Sequence, residues 1–424
     1  MRQVFGVPVF RRLLAAYGLN ELTWSFGTIA LAVLVYRRTG SALGTTAFFL
    51  CSQFAPALAS PLLVAHVTAV DQRRVLRFLY GLEAALFGLL AWMAAHFSLV
   101  PILAVILIDG IVALSARAVA RTATVGVLRP RDLLHEGNAV INLVFSVSFM
   151  AGPAIGGLVV AAGGTVASLL VNCGLFAIIA LVLSATALPE AHVHDEALGR
   201  SGLQRLRAGL EHARRQRAIR WLLILQSAGM AAFTISIPVE VVFAQHSVNA
   251  GPGGYGAMLS GWGAGAVAGS AAYARYRRRP GRALLAASGI ALGVGFAIIA
   301  TAPTIVLAVV GSVLGGVGNG SGSVAGRTML QEYTPQRWMG AMTSLNESIS
   351  QAAPGVGFVL GGLLASATDP RVALAVAAAG SLAYAGAVWI ALRPSLIGEP
   401  PEDPDLPASP SSLTAVTKGQ GTLV

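Results

Sequence analysis

The sequence predicts an all-α membrane protein of twelve transmembrane helices, built as two pseudo-symmetric six-helix bundles. Three observations carry that reading. Of 424 residues, 55% are hydrophobic and only 11% charged, with a mean hydropathy of +0.71, which leaves too little charge to cover a soluble surface. Residues 137–189 and 283–326 contain no Asp, Glu, Lys or Arg, and each run is about twice the ~20 residues that cross a bilayer. The chain also matches itself at a constant offset of 205 residues.

The spans follow in order from the charges and turn residues that bound them. They fall near 13–36, 43–67, 75–95, 99–123, 139–161, 166–188, 220–244, 255–275, 283–301, 304–326, 341–366 and 372–392. The first holds Glu21 and is followed by Arg37-Arg38 with no small-residue cleavage site. It is therefore read as a membrane helix and not a signal peptide. The charge-free runs divide at Gly163-Gly164-Thr165 and at Thr301-Ala302-Pro303-Thr304.

Residues 189–219 form the longest connection. Leu203, Leu206 and Leu210 recur there at helical spacing among arginines, the pattern of a basic amphipathic helix on the inner membrane surface. Residues 394–424 are rich in Pro, Ser, Asp and Glu and read as a disordered cytoplasmic tail. The expected division is thus 1–188, a linker of 189–219, 220–393 and the tail.

Placing both termini inside puts 26 Lys and Arg residues on that side and 3 on the other. This asymmetry assigns both termini to the cytoplasm of a cell membrane. The net charge of +11 does not indicate nucleic acid, because the arginines cap apolar runs and no binding motif accompanies them. Cys51 and Cys173 both lie in apolar runs and read as small hydrophobes. His192, His194 and Asp195 have no further metal ligands nearby in sequence, so no metal is expected. No nucleophile–base constellation, cofactor motif or nucleotide loop is evident. "GVGNGSGSVAG" (316–326) lacks the Lys-Ser/Thr of a phosphate loop and reads as a packing face. An enzyme is therefore not expected, and ATP is not the expected energy source.

At the offset of 205, Arg73, Arg74 and Arg77 meet Arg278, Arg279 and Arg282. Gly88 meets Gly293, and Gly110 meets Gly315. Gly152, Gly156 and Gly157 meet Gly357, Gly361 and Gly362. Six spans per half is an even number, so the repeat is parallel, with an axis along the membrane normal and a path between the halves.

"AGPAIGGLV" (151–159) resembles the fifth-helix motif of exporters of the major facilitator superfamily. "VLRPRDLLHEGNAV" (127–140) and "LQEYTPQRWMGAMTSL" (330–345) resemble its cytoplasmic connections. "GLQRLRAGLEHARRQRAIRWLL" (202–223) resembles the central loop of a branch with macrolide, siderophore and multidrug exporters. The resemblance covers about residues 1–393. It implies a secondary transporter in which spans one, four, seven and ten line the path and spans five and eight face each other. The loop after the second span departs from the family pattern at Val64, Thr68 and Ala69, while Asp71, Arg73 and Arg74 match it. Ile106 stands about where proton-coupled drug exporters carry an arginine.

In lipid, helices associate by close backbone packing at small residues spaced by four. Gly152 and Gly156 are one such pair, with Pro153 and Gly157 beside them as packing or gating candidates, and Gly261, Gly265 and Gly269 are another. Gly357, Gly361 and Gly362 repeat the first. These glycines are expected to pack, and the faces of spans five and eight to slide during gating.

Ionisable groups inside spans are costly and usually functional. Glu21, Glu83, Asp109, Glu240 and Glu347 qualify. By the resemblance, Glu21, Asp109 and Glu240 lie on path-lining spans, whereas Glu83 and Glu347 are expected in packing or gating. A carboxyl group that is alternately buried and exposed can carry a proton. The other reading is a buried ion pair of Glu21 or Asp109 with Arg117 or Arg121. Trp24, Phe26, Phe145, Phe149, Phe233 and Trp262 are candidates for an apolar binding surface. The expected function is proton-coupled antiport that exports a small amphipathic compound, with lipid, protons and that compound as partners and a monomeric state. Uptake by symport, or a transport-dead sensor or scaffold, remain alternatives.

Overall fold

The computed structural model describes residues 2–60, 71–186, 202–335 and 338–398. Residues Val64, Thr68, Ala69, His192, His194 and Asp195, the end of the second span and nearly all of the tail lie outside them, as does the side chain of Glu347. Helices make up the described chain, with no strand among the described residues.

Helix α1 runs Pro8–Thr39, opening on a proline and closing at Gly40, whose left-handed φ of 60° lets its N–H reach Tyr36 O. Helix α2 spans Ala42–Ser60 from a Ser41 cap, with a π-turn at Leu50–Phe54. Helix α3, Gln72–Ala95, is capped by Asp71, whose side chain accepts from Arg73 N–H. Helix α4 is Leu99–Leu128. The segment Leu134–Ser184 is broken at Gly164, where φ is 78°, a conformation that glycine adopts without strain. It comprises α5 (134–163) and α6 (165–184).

A separate linker helix spans Gly202–Arg215. Helix α7 is Arg217–Ser247 and ends in a second π-turn, Phe243–Ser247. Helices α8 to α12 are Gly251–Tyr276, Gly281–Thr301, Ile305–Glu332, Met339–Ala367 and Pro370–Ala391.

Ten helices among the described residues are long and apolar enough to cross a membrane, with Glu136–Ser184 counted once. The break at Gly164 makes that one two. Glycine-rich α8, absent from the ten, completes twelve by position. Glycine lowers its hydropathy while letting its neighbours approach closely.

Arginines tie the helix ends together and report their directions. Arg12 donates to Ala185 O at 2.7 Å, and Arg73 Nε to Ser184 O at 2.9 Å. The end of α6 therefore lies beside the starts of α1 and α3, and both cations complement its C-terminal carbonyls. At the opposite face Arg38 reaches Ala94 O, and Arg371 donates to Ala300 O at 2.8 Å.

The offset of 205 recurs in the packing. Gly88 faces Cys173, and Gly293 faces Ala378, a pair displaced by the same 205 positions. Gly110 faces Pro56 of α2, while Gly315 faces Trp262 of α8. Gly152 meets Ser25 of α1, and its counterpart Gly357 meets Thr234 of α7.

Two expectations change. Gly152 and Gly156 pack on Ser25 and Phe26 of α1, and Gly261, Gly265 and Gly269 pack on Val309, Val313 and Val317 of α10. Both glycine faces are thus spent inside their own halves, because residues four apart share one helix face and that face meets a sister helix. Gly361 likewise meets Ile235 of α7. The contact between halves uses a different face: Gly157 lies against Pro252, Gly253 and Gly256, Gly256 against Pro153, and Gly263 against Phe149 and Met150. Gly362 crosses to Thr46 of α2 in the equivalent place.

The linker helix docks on protein as well. Gly209 packs against Ala341 and Met342 of α11, the His212 ring stacks on Trp338 at 4.4 Å, and Ala213 joins a buried cluster with Ile219, Leu330 and Met342. Gly209 and Ala213 are small residues four apart and allow this approach, while Leu210 stays exposed.

Candidate functional site

Three of the first six helices, α1, α3 and α4, bring charges into the interior of the N-terminal half. Glu21 of α1 is buried, and its Oε1 lies 3.0 Å from Arg117 Nη2 of α4. Arg117 sits about 12 Å along α4 from Asp109, at 1.5 Å per residue, so its guanidinium meets Glu21 one level nearer the terminus-bearing face. Arg121, a further turn along, is exposed. The Tyr17 ring lies among Glu21, Arg117 and Arg121, within reach of their charges.

Glu83 of α3 is placed differently from the expectation. It is fully buried and lines the same cavity as Asp109 and Arg117, between α1, α2, α3, α4 and α6. Asp109 and Arg117 both act on it electrostatically. Hydropathy identified α3 as a span but not how it is rotated about its axis, and that rotation aims Glu83 inward. Both Glu83 carboxyl oxygens, Asp109 Oδ1 and the neighbouring Ser52 hydroxyl are enclosed without a hydrogen-bond partner. Asn172, also fully buried, leaves both amide atoms unpartnered and lies against Gly27.

The cavity holds about 80 Å³. Trp24, Phe87 and Phe176 contribute its aromatic walls, and Asn20, Thr23 and Gln53 add polar groups. The π-turn of α2 matters here: it carries Ser52 and Gln53 into the lining, and Ser52 O approaches Gly110 next to Asp109. Extra residues in such turns commonly re-aim side chains at functional sites. Ile106 also lines the cavity, and Arg117, about three turns away on the same helix, supplies the cation in this interior.

Glu240 lies apart from this cluster, buried in α7 near Ser236 and the Tyr255 ring. Of the aromatic candidates, Phe26 packs against Gly156, and Phe145 stacks on Phe149 at 5.6 Å. Phe233 stacks on Trp262 at 5.1 Å, with Phe296 beyond it. Trp24 alone of these lines the acid cavity, and it is 38% exposed.

Asp71 caps α3 and lies 3.6 Å from Arg74 at the surface, and Arg73 anchors α6 as described. Arg278 and Arg279 are exposed at the equivalent turn between α8 and α9.

Close contacts between the halves lie toward the face that carries the end of α1. Thr46 Oγ1 approaches Phe358 O, Phe49 packs on Phe358, Gly355 on Phe54, and Arg37 Nε donates to Gln245 Oε1 at 3.3 Å. This closes the face remote from the termini.

Comparison with known proteins agrees with this architecture. Residues 5–405 match the family described as transmembrane secretion effector. The multidrug efflux pump Tap of Mycolicibacterium fortuitum is 29% identical over 240 residues. That match covers 55% of this chain and 58% of Tap, so the chain spans little more than half the length of this relative. The nucleoside transporter NupG superposes with a TM-score of 0.70 at 16% identity, covering 91% of this chain and 99% of that one. A bacterial homologue of the iron transporter ferroportin, in an inward-facing state, gives 0.69 at 15% identity over 91% and 99%. An autoinhibited peptide transporter of the POT family gives 0.70 at 13% identity over 95% and 99%. These likenesses concern the fold. The chain belongs to the transmembrane secretion effector family of the major facilitator superfamily, and it is a membrane transporter and not an enzyme.

Proposed function

We propose that the protein is a proton-coupled exporter of a small amphipathic compound. It works by alternating access between a half formed by residues 1–188 and one formed by 220–393, with 189–219 as the linker and 394–424 as a cytoplasmic tail. The observation that carries this reading is the imbalance inside the N-terminal half. Three carboxyl groups, Glu21, Glu83 and Asp109, share this interior with one guanidinium, Arg117, which pairs with Glu21. Excess negative charge in a low-dielectric interior is unfavourable by several kcal/mol per ion. Protons drawn from solution remove it, and Asp109, beside the cavity and two turns from Arg117, is the leading carrier, ahead of Glu21 and Glu240.

Export is supported by the family description and by the efflux activity in Tap's name. A cell-membrane location with both termini inside is supported by the distribution of arginine. With that orientation, the closed remote face corresponds to a molecule open to the cytoplasm, the state in which an exporter collects its cargo.

The test is flux of ethidium in proteoliposomes under an imposed pH gradient. Ethidium should move opposite to the protons, and collapse of the gradient should abolish accumulation. Accumulation that survives collapse would overturn proton coupling, and movement in the same direction as the protons would establish symport instead.

A further inference from the structure

Unpartnered oxygens in the N-terminal half define a ligand as well as a proton site. Glu83 is fully buried, yet neither of its carboxyl oxygens has a hydrogen-bond partner, and neither does Asp109 Oδ1 or Ser52 Oγ. Protonation alone does not satisfy them. A neutral carboxyl group gains one donor and still needs an acceptor for it, and no hydrogen bond joins the two carboxyls that line the cavity. What completes this arrangement is a group that brings several N–H or O–H donors into the space between them.

The size of that space restricts the occupant. Drug-sized ligands fill sites of about 300–1,000 Å³, whereas this cavity holds about 80 Å³, room for two or three waters at ~30 Å³ each. A whole amphipathic substrate does not fit, but a compact head group does. The charge of the walls favours a cation, and the faces of Trp24, Phe87 and Phe176 offer further attraction to one. Trp24, both lining and 38% exposed, marks the side from which a longer apolar body can trail outward.

We propose that this cavity is a subsite for the primary ammonium head group of amphipathic amines, one class of compound the exporter carries. A primary ammonium offers three donors, which suit Glu83, Asp109 and Ser52. A quaternary ammonium offers none and is bulkier. Binding of the cation then takes over the charge balance that protons provide when the site is empty, which links cargo to protons through one set of carboxyl groups. This assignment rests on the exporter reading for its biological sense, but its binding test is separate.

The experiment is thermal unfolding of the purified full chain with n-hexylammonium, tetraethylammonium or 1-hexanol at equal concentrations. Hexylammonium is expected to raise the midpoint saturably, and the other two are not. Glu83→Gln and Asp109→Asn should each weaken that effect by about thirtyfold or more, as loss of a buried charge partner does. Glu211→Gln, at an exposed position on the linker helix, should leave it unchanged. Equal shifts with tetraethylammonium, or a hexylammonium shift no larger than that of hexanol, would overturn the proposal. Should either acid variant not fold, the selectivity of the unaltered protein decides it. Proton-driven ethidium export without ammonium selectivity would defeat this subsite and leave the exporter reading standing. Selective ammonium binding without proton-driven flux would do the reverse.

Discussion

Glu21 and Arg117 show how a buried charge is retained in an apolar half-protein. Glu21 is nearly inaccessible and Arg117 about one-third exposed, so removing the arginine leaves a carboxylate enclosed without its counter-charge. Such losses cost about 3–5 kcal/mol when fully buried, and partial exposure of Arg117 lowers that here. Arg117→Met is therefore expected to reduce the unfolding midpoint and the yield of folded protein. Glu21→Gln combined with Arg117→Met should recover most of both, because the pair is then replaced by neutral groups. Equal instability in single and double variants would show that Arg117 acts through other contacts. Among the described residues Asp109 has no such ion-pair partner, so Asp109→Asn is expected to fold normally and to lose accumulation of substrate against a gradient while retaining exchange. Normal proton-driven accumulation in this variant would transfer the coupling role to Glu83 or Glu21. The sequence made each of these acids visible as an anomaly inside an apolar run. It did not reveal which ones meet, since that depends on how α1, α3 and α4 are rotated, and hydropathy carries no information on rotation when every face is apolar.

At the scale of the helix, glycine has two distinct roles that look identical in sequence. Gly265 and Gly269 press directly on Val313 and Val317 backbone within the C-terminal half, where an added Cβ would collide with carbonyl oxygen. Gly157 and Gly256 do the same across the two halves, against Pro252 and Pro153. A side chain at Gly265 must be accommodated in every conformation, whereas one at Gly256 is resisted only while the remote face is closed. Gly265→Leu is expected to abolish folded protein. Gly256→Leu should insert and fold but favour the conformation open at the remote face, read out as faster labelling of a cysteine introduced at Thr46. Unchanged labelling would show that α5 and α8 have room to separate without opening that face. The spacing of four was legible from sequence, and so was its value for close packing. The partner helix was not, because α5 offers one face to α1 and the next to α8. The π-turns in α2 and α7 were not legible either. Their sequences, LCSQF and FAQHS, contain no proline or glycine to announce them.

Across the whole molecule the repeat proved the most informative sequence signal. Glycines paired at 205 residues occupy equivalent contacts, from Gly88 and Gly293 to Gly157 and Gly362, so the match reflects two halves built alike. Among the described side chains, however, the halves differ in charge. The N-terminal one encloses Glu21, Glu83, Asp109 and Arg117, whereas the C-terminal one encloses Glu240 near Ser236 and Tyr255. On the proposed reading, ion handling belongs to the N-terminal half. Which way the pair faces in the membrane follows from a third whole-chain property, the side on which arginine accumulates. Thr165, at the α5–α6 turn, and Asn249, between α7 and α8, share the face remote from the termini, and Gln216, exposed before α7, lies on the other. Translocating arginine-rich segments is unfavourable, so those segments are proposed to stay inside. Single cysteines replacing Thr165 or Asn249, in a chain lacking Cys51 and Cys173, should react with an impermeant maleimide in intact cells. One replacing Gln216 should react only after the membrane is permeabilised. Labelling of Gln216→Cys in intact cells would invert the topology. The closed face would then be cytoplasmic, and the molecule would be open to the outside, as a protein collecting its cargo for uptake would be.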